Sequence, residues 1–574
     1  MIIQRQAVQE SLKDQGVDLK TIKIWFCGVL FAVSSAWLMI AYVSGPLNGH
    51  FNKYLMPARI FGIPAELQQR GIEPLYSNAD SLGWDGQFYF YIANDLLARK
   101  DTPRHMDADA YRYQRVGVPL VAKMLSVVLG QDWVSPAIYY AVQFALIFLA
   151  TLLAADFFTK QSLSPFWVLP WSLAAGTQIT LLNGLPDGSA DALLIMSVIF
   201  LWRKNYALYA ITATLACLSR EAYALLPLSI SAVYLLFFWQ KPKARLRIYQ
   251  YGCLLIPIVL FGAWQVFIRL RFAHSPGEQG IGVLGLPFLR LSELLFGGLS
   301  GHYPRLPNGR ESYLAGAGVV LFVLVMLSAV WSASKIKAGE AFERSFPLPI
   351  AIKGFVLILS ALYFCFGDTV MWHFTGYMKA AGLLIFMIPF MFSMQTEKSS
   401  HYWIAFLFVI ATLFFGWQVV KMRILQPPII YKADTHCGNV QFAPGDVCKE
   451  RFVWLGKELP GVVGKIAGST REAMEPRDRV GFLTYGPYMD MPKGTYHIVL
   501  SYSGVGENLG YMEIFSLSGG PQGKVFQKIY LPAASDGAAE ATLIVNEDLI
   551  KSVEVRVQHE HGALTVKSLL IEKN

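Results

Sequence analysis

Charge is scarce in this sequence. Lys, Arg, Asp and Glu make up 16% of its 574 residues, against 54% hydrophobic residues. A water-soluble chain of that length needs more charge to cover its surface, so much of this one is expected in lipid. Cysteine is also sparse, at six residues. None has zinc-type spacing, which excludes a structural zinc module. Cys27, Cys217, Cys253 and Cys365 fall inside apolar runs and read as small core residues. Cys437 and Cys448 differ, because they flank the polar loop CGNVQFAPGDVC. A disulfide between them is expected if that part of the chain lies in an oxidising compartment. No internal repeat is visible, which counts against a transporter built from inverted halves. The net charge of +9 does not imply nucleic acid. Its basic residues sit in short loops between apolar runs, as in polytopic membrane proteins.

What is present is a series of apolar runs. Residues 1–23 carry Arg5, Lys13, Lys20 and Lys23 and read as a cytoplasmic arm. Residues 24–44 are long enough to span a bilayer. The arm is long and no small-residue cleavage site follows, so the span is expected to stay as an anchor. Further spans are expected at 134–157, 165–182, 187–202, 206–219, 222–239, 249–270, 312–332, 349–366, 374–393 and 402–420, about eleven in all. The apolar segment 118–130 contains Lys123 and is placed in the interface. That choice puts Lys160, Arg203, Lys204, Lys241, Lys243, Arg245, Arg247, Lys335, Lys337, Arg344 and Lys398 on the inner side, with the N-terminus inside and the C-terminus outside. Residues 24–420 then form a mostly α polytopic membrane domain. Its long external loops are 45–133, with short interfacial helices, and 271–311, which is Gly/Pro-rich and reads as irregular.

Residues 421–574 are a different kind of sequence, beginning near the QPP boundary. Runs such as TYHIVLSYS, YMEIFSLS and SVEVRVQHE alternate apolar and polar residues between turn-forming residues. That pattern predicts an all-β, antiparallel sandwich outside the membrane. GPYMDMPKGTYHIVLSYS resembles the opening hairpin of the jelly-roll modules fused to sugar-active enzymes, some of which bind glycans through exposed aromatics. Tyr485, Tyr488 and Tyr511 are the aromatics of interest.

Residues 80–119, DSLGWDGQFYFYIANDLLARKDTPRHMDADAYRYQRVGVP, hold most of the chemistry. An acid stands before an aromatic helix, and an Arg pair stands before a Pro-led apolar helix. This arrangement resembles the GT-C superfamily of integral-membrane glycosyltransferases. GWDGQFYFYIA followed by YRYQRVGVPLV is similar to bacterial members with a G-[YW]-D-G-Q-[FY] signature, over roughly residues 20–240. The resemblance implies transfer of a sugar from a polyprenyl-phosphate donor to a glycan, lipid or protein of the cell envelope. It also implies a bacterial inner-membrane location with the active site on the outer face. Asp85 then corresponds to the base that takes the acceptor proton, with Asp80 as an alternative base or a partner.

Charged residues at a membrane edge are costly and point to function. Arg112, Arg115, Arg220 and Lys379 are candidates for the donor phosphate, as is the RLPNGR segment at 305–310. Asp187 and Asp191 lie four apart on one helix face. They are candidates to hold Arg220, to bind acceptor hydroxyls or to coordinate a metal ion; Glu221 is a further candidate lock on Arg220, and His373 sits with Lys379 at another outer edge as a candidate for the phosphate, the acceptor or a structural role. The paired acidic D-x-D form of some superfamily members is missing unless MDADA at 106–110 replaces it, so a divalent cation is left open. Two other function classes remain: a flippase for a lipid-linked sugar, with charges lining a path through both leaflets, and a non-catalytic glycan-binding assembly factor.

Overall fold

The computed structural model describes residues 19–47, 49–58, 61–72, 83–240, 247–279, 283–303, 309–336, 347–371, 373–395, 402–425, 451–516 and 523–573. Asp80, Arg305, Cys437 and Cys448, with the disulfide expected of the last two, lie outside the described residues. The chain divides into two compact units. One is the helical part, Met1–Pro57, Ile63–Glu73 and Trp84–Pro428, and the other is centred on Ile429–Asn574.

The helical unit starts with α1 (Leu19–Ser44). The first loop carries α2 (Ala65–Gln69), α3 (Gly86–Asn94), α4 (Asp109–Tyr113) and α5 (Gly117–Val128). Then come α6 (Pro136–Lys160), α7 (Leu169–Ser172), α8 (Ala175–Leu182), α9 (Asp187–Trp202), α10 (Tyr206–Cys217), α11 (Leu225–Gln240) and α12 (Ile248–Phe272). After α13 (Pro276–Gln279) and α14 (Leu289–Leu299), the helices α15 (Arg310–Ser334), α16 (Leu348–Phe364), α17 (Asp368–Met371), α18 (Phe374–Phe392) and α19 (Tyr402–Arg423) follow. Among the described residues six helices, α1, α6, α12, α15, α18 and α19, are long and apolar enough to cross a membrane. Helix length alone does not confirm the expected count of about eleven, the rest of which falls to shorter apolar helices. α10, α11 and α16 are apolar but shorter.

One expected span is broken. Residues 165–182 form a 3-10 turn, α7 and α8, separated at Ala174, whose ψ of 143° is extended. Pro170 lacks the N–H group a continuous helix over 165–182 would need there. Side chains satisfy the freed carbonyls: Thr177 donates to the Trp171 oxygen at 2.7 Å and Gln178 to that of Ser172 at 2.8 Å. Such compensation makes a broken helix tolerable away from water. The second long loop departs from expectation in the other direction, because it contains α14. Its sequence LRLSELLFGGL buries Leu291 and Leu294 on one face, a helical spacing.

The first loop is held to the bundle by polar clamps. Trp264 of α12 donates to the Tyr113 carbonyl at 3.0 Å, and Arg271 donates to that of Ala98 at 3.1 Å. α3 is buried along its length, and Phe88, Tyr89, Phe90 and Tyr91 are all at most 1% exposed. The aromatic run is core of this unit. At the far ends of α6 and α9, Lys160 and Arg203 both pair with Asp156, at 2.8 and 2.6 Å. Two of the loops expected to face inward thus meet at one end of the bundle.

The second unit is a nine-stranded sheet in the order β2-β3-β9-β5-β8-β6-β7, with β1 on β9 and β4 on β8. The strands are β1 (Arg451–Leu455), β2 (Lys465–Ala467), β3 (Thr470–Met474), β4 (Gly481–Thr484), β5 (Pro487–Val505), β6 (Gly510–Ser516), β7 (Lys524–Tyr530), β8 (Ala534–His559) and β9 (Ala563–Lys573). Every pairing is antiparallel. β5 runs through the GPYMDMPKGTYHIVLSYS segment as one long strand with register shifts, where a hairpin was expected. Alternation does the packing: Tyr496, Ile498, Leu500 and Tyr502 point into a cluster with Val553, Val555 and Val557 of β8. In β9 the inward phase changes from Val566 to Leu569, where the β5–β9 register shifts between Ser501 and Tyr502. Each fully buried aliphatic side chain contributes about 1.5–3 kcal/mol.

Candidate active site

The chain enters α3 through a tight turn. Gly83 has φ +61°, which favours glycine. Two residues later Asp85 occupies the N-cap position but makes no side-chain capping bond. Its carboxylate reaches Arg112 instead, at 2.9 and 3.0 Å. Gly86 sets this position: a Cβ there would lie 1.8 Å from the Asn183 carbonyl oxygen. The start of α3 is therefore pressed against the backbone that leads into α9.

Arg112, only 8% exposed, is also held by Asp107, at 2.6 Å from Nη2 and 2.9 Å from Nε. It lies over the Phe88 ring at 4.9 Å. Arg115 is bound by Glu221 through two parallel bonds of 2.7 and 2.9 Å, and it donates to Tyr111 at 3.0 Å. The Tyr89 hydroxyl accepts from Arg115 at 3.2 Å and from Arg112 at 3.5 Å, so it links the two guanidinium groups. Arg220 stands 3.8 Å from both Asp187 and Asp191 and donates to the Tyr223 hydroxyl at 2.9 Å. Tyr223 in turn donates to Asp191, which also accepts from Trp171 at 3.4 Å. Asp191 is 1% exposed. A second donation from Arg220, at 3.5 Å, goes to the Lys379 carbonyl.

Eight sequence-derived candidates thus converge: Asp85, Arg112, Arg115, Asp187, Asp191, Arg220, Glu221 and Lys379. Their pairing differs in one respect from expectation. Glu221 binds Arg115, and the lock on Arg220 is made by Asp187 and Asp191. Each Arg faces one or two carboxylates. Lys379 is half-buried, acts electrostatically on both Asp85 and Asp187, and has no ion-pair partner within 4 Å among the described residues.

Asp85 keeps 46% of its side-chain surface exposed. Burial pushes its acidity down, but the charges of Arg112, Lys379 and Arg115 outweigh this and hold its pKa below the ordinary carboxylate value. Burial also raises the pKa of Glu221, but the charge and hydrogen bonds of Arg115, with a backbone bond and the Arg220 charge, together hold it below the ordinary carboxylate value. Both are ionised at neutral pH.

His373 stands apart. It caps α18 by accepting from the Thr375 N–H, and burial and the Arg423 charge push its pKa down to about 4. Arg423 lies over the ring of Trp84, the neighbour of Asp85, at 3.8 Å. Asp107 of the MDADA segment is taken up by Arg112, and Asp109 accepts from the Ala110 N–H. Among the described residues no group of three or more His, Cys, Asp or Glu side chains is arranged to hold a metal ion. Tyr89, Trp171 and Tyr223 belong to the cluster without having been singled out as site residues. For Tyr223 a signal was present, since it lies three residues after Arg220. For Trp171 there was none, because it arrives through the broken helix.

No protein-family profile matches the chain, and no curated protein does. Among solved structures it is similar to the arabinosyltransferase EmbB from Mycobacterium smegmatis, with 11% identity and a TM-score of 0.26, over 85% of this chain and 64% of that one. It is also similar to a carbohydrate-binding module, CBM6cm-2 from Cellvibrio mixtus lichenase 5A, in complex with cellotriose. There the identity is 12% and the TM-score 0.16, over 21% of this chain and 96% of the module. Likeness at this level assigns neither a family nor an activity.

Proposed function

We propose that this protein is a membrane glycosyltransferase that moves a sugar from a polyprenyl-phosphate donor to a hydroxyl of a cell-envelope acceptor. The observation that carries this is a half-open, ionised Asp85 in the field of Lys379, a cation with no carboxylate of its own among the described residues. Transfer forms a bond between the acceptor oxygen and the anomeric carbon and breaks the bond from that carbon to the phosphate oxygen. The acceptor proton goes to Asp85, and the phosphate leaves with the bonding electrons towards Lys379 and Arg220. A low pKa makes Asp85 a weak base in equilibrium but keeps it free to accept. Arg112 and Arg115, each matched by carboxylates, orient Asp85 and Glu221 in this scheme. Asp80 stays a second candidate base. In the same proposal, residues 1–23 are cytoplasmic, 24–420 form the membrane domain, and 421–574 lie in the periplasm.

The test is transfer by purified protein in detergent, with radiolabelled polyprenyl-phosphate sugars offered one at a time. Asp85→Asn keeps the size, loses the base and is expected to lower turnover by about 10²–10⁴. Lys379→Ala removes a charged hydrogen bond of about 1.5–3 kcal/mol, or roughly ten- to a hundredfold in rate. Wild-type turnover by Asp85→Asn would transfer the role to Asp80 or remove the mechanism.

A further inference from the structure

The second long loop carries α14, a helix with more apolar surface than the protein covers. At about 100° per residue, its buried positions Leu291, Leu294 and Gly298 fall within an arc of about 60°. Leu289, Phe296 and Leu299 lie on the other side and are exposed, Phe296 by 69%. Glu293 and Arg290 occupy the remaining sector and pair at 2.8 Å. The helix thus has three sides: one packed, one apolar and exposed, and one charge-balanced edge. The apolar side continues upstream, where Leu284, Leu286 and Phe288 are also exposed. Backbone bonds hold that stretch to the end of α16. Gly285 donates to the Cys365 carbonyl at 2.7 Å, and Phe288 to that of Phe364 at 2.8 Å.

α14 crosses α15 at a defined height. A Cβ on Gly298 would lie 2.2 Å from the Gly316 Cα, and one on Gly316 would lie 2.7 Å from the Gly298 Cα, so the two backbones touch. Gly316 is about 9 Å along α15 from Arg310, at about 1.5 Å per residue. The 25 residues of α15 make it about 37 Å long. A hydrocarbon core of about 30 Å centred on α15 would begin about 4 Å from Arg310. The crossing then lies about 5 Å below the hydrocarbon boundary. Amphipathic helices in a membrane surface bury their apolar side by about 5–10 Å. Leu299 adjoins Gly316, and Tyr313 of α15 lies against Gly301. Both are exposed, so the apolar side of α14 runs onto the flank of a helix long and apolar enough to cross a membrane. An aromatic such as Tyr313 is common at the boundary between lipid and water.

We infer that α14 lies in the membrane surface and presents Leu289, Phe296 and Leu299 to lipid acyl chains. It does so at the end of the bundle where α16 passes through α17 into α18, the helix that carries Lys379 near its start. The edge formed by Glu293 and Arg290 faces the headgroups. Because that edge is balanced, insertion is driven by apolar contact and needs no anionic lipid. The inference requires α15 to cross the membrane. It needs no transfer chemistry, so it stands whether or not the Asp85 proposal does.

The test uses the full chain in phosphatidylcholine nanodiscs, with a fluorescent non-canonical amino acid in place of Phe296. Quenching is measured with aqueous iodide and with nitroxide lipids labelled on the acyl chain either just below the headgroup or at its end. The shallow nitroxide is expected to quench about twofold more than the deep one, and iodide only weakly. Salt and added phosphatidylglycerol are expected to leave this pattern unchanged. The same probe in place of Glu293 is expected to reverse it, with iodide quenching more than either lipid. If the Phe296 replacement yields no monodisperse protein, the probe replaces Leu289, with the same expectation. Iodide quenching without lipid quenching would put this side in water. Resistance to both quenchers would put it against the β unit or a second copy of the chain. Stronger quenching by the deep nitroxide would place the helix inside the bilayer rather than at its surface. Equal lipid quenching at Phe296 and Glu293 would deny the helix a lipid-facing side. Each of these four results would overturn the inference.

Discussion

At the scale of single residues, Asp85 illustrates how placement selects chemistry. An Asp at the start of a helix usually spends its carboxylate on the first backbone N–H groups. Here the carboxylate turns to Arg112. The pKa of Asp85 is lower in the folded protein than in the unfolded chain, so the ion pair adds stability that is complete above the ordinary carboxylate pKa. That stability is lost as pH falls through the depressed folded value. Melting temperatures of wild type and Asp85→Asn in detergent are therefore expected to differ by a constant amount from neutral pH to about pH 5, and to converge below about pH 4. Convergence near pH 6–7 would mean that burial, rather than Arg112, governs this carboxyl.

At the scale of elements, the site depends on how closely backbones approach. α3 carries Asp85 at its start and Tyr89 one turn on, while the turn before α9 supplies the Asn183 carbonyl against Gly86. Neither partner in that contact is a flexible side chain. Gly86→Ala must move α3 away from α9, and Asp85 and Tyr89 must move with it. The expected cost is about 1–3 kcal/mol, as for other overpacked sites. It should appear as a lower melting temperature together with a loss of turnover, since a shift of about 1 Å misplaces a reacting group. Gly130→Ala is a useful control for the melting temperature only. Its Cβ would meet nothing within 4 Å, but its φ of +70° carries a strain of its own.

At the scale of the whole chain, basic residues are distributed unevenly between loops. Lys160 and Arg203 share Asp156 at one end of α6 and α9, whereas Asp187 and its partners lie at the other end of α9. In the proposed topology the positive-inside rule puts the first end on the cytoplasmic side. A reporter fused after Asn574 is then expected to be active only outside the cytoplasm. Cytoplasmic activity of that fusion would reverse the topology and detach the Asp85 site from an external acceptor.

Local pattern was enough for several of these features. Period-two alternation in TYHIVLSYS marked inward Tyr496, Ile498 and Leu500, because strand side chains alternate whatever the partner strand. Scarcity of charge along the apolar runs marked where their acids and Arg residues would matter, because lipid makes each such residue costly. Pairing was beyond its reach. Arg115 meets Glu221, 106 residues away, and Arg220 meets two acids of another helix, contacts that exist only once these segments are packed together. That the break at Ala174 brings Trp171 to Asp191 is likewise a matter of contact between separate segments. The sequence alone determined which segments are apolar, which alternate and which residues are expensive to bury. Only tertiary structure decided which charges neutralise one another and which one, Lys379, is left facing Asp85 and Asp187 without an ion-pair partner among the described residues. Ion pairing is a matter of distances between segments remote in sequence, and no local propensity encodes those distances.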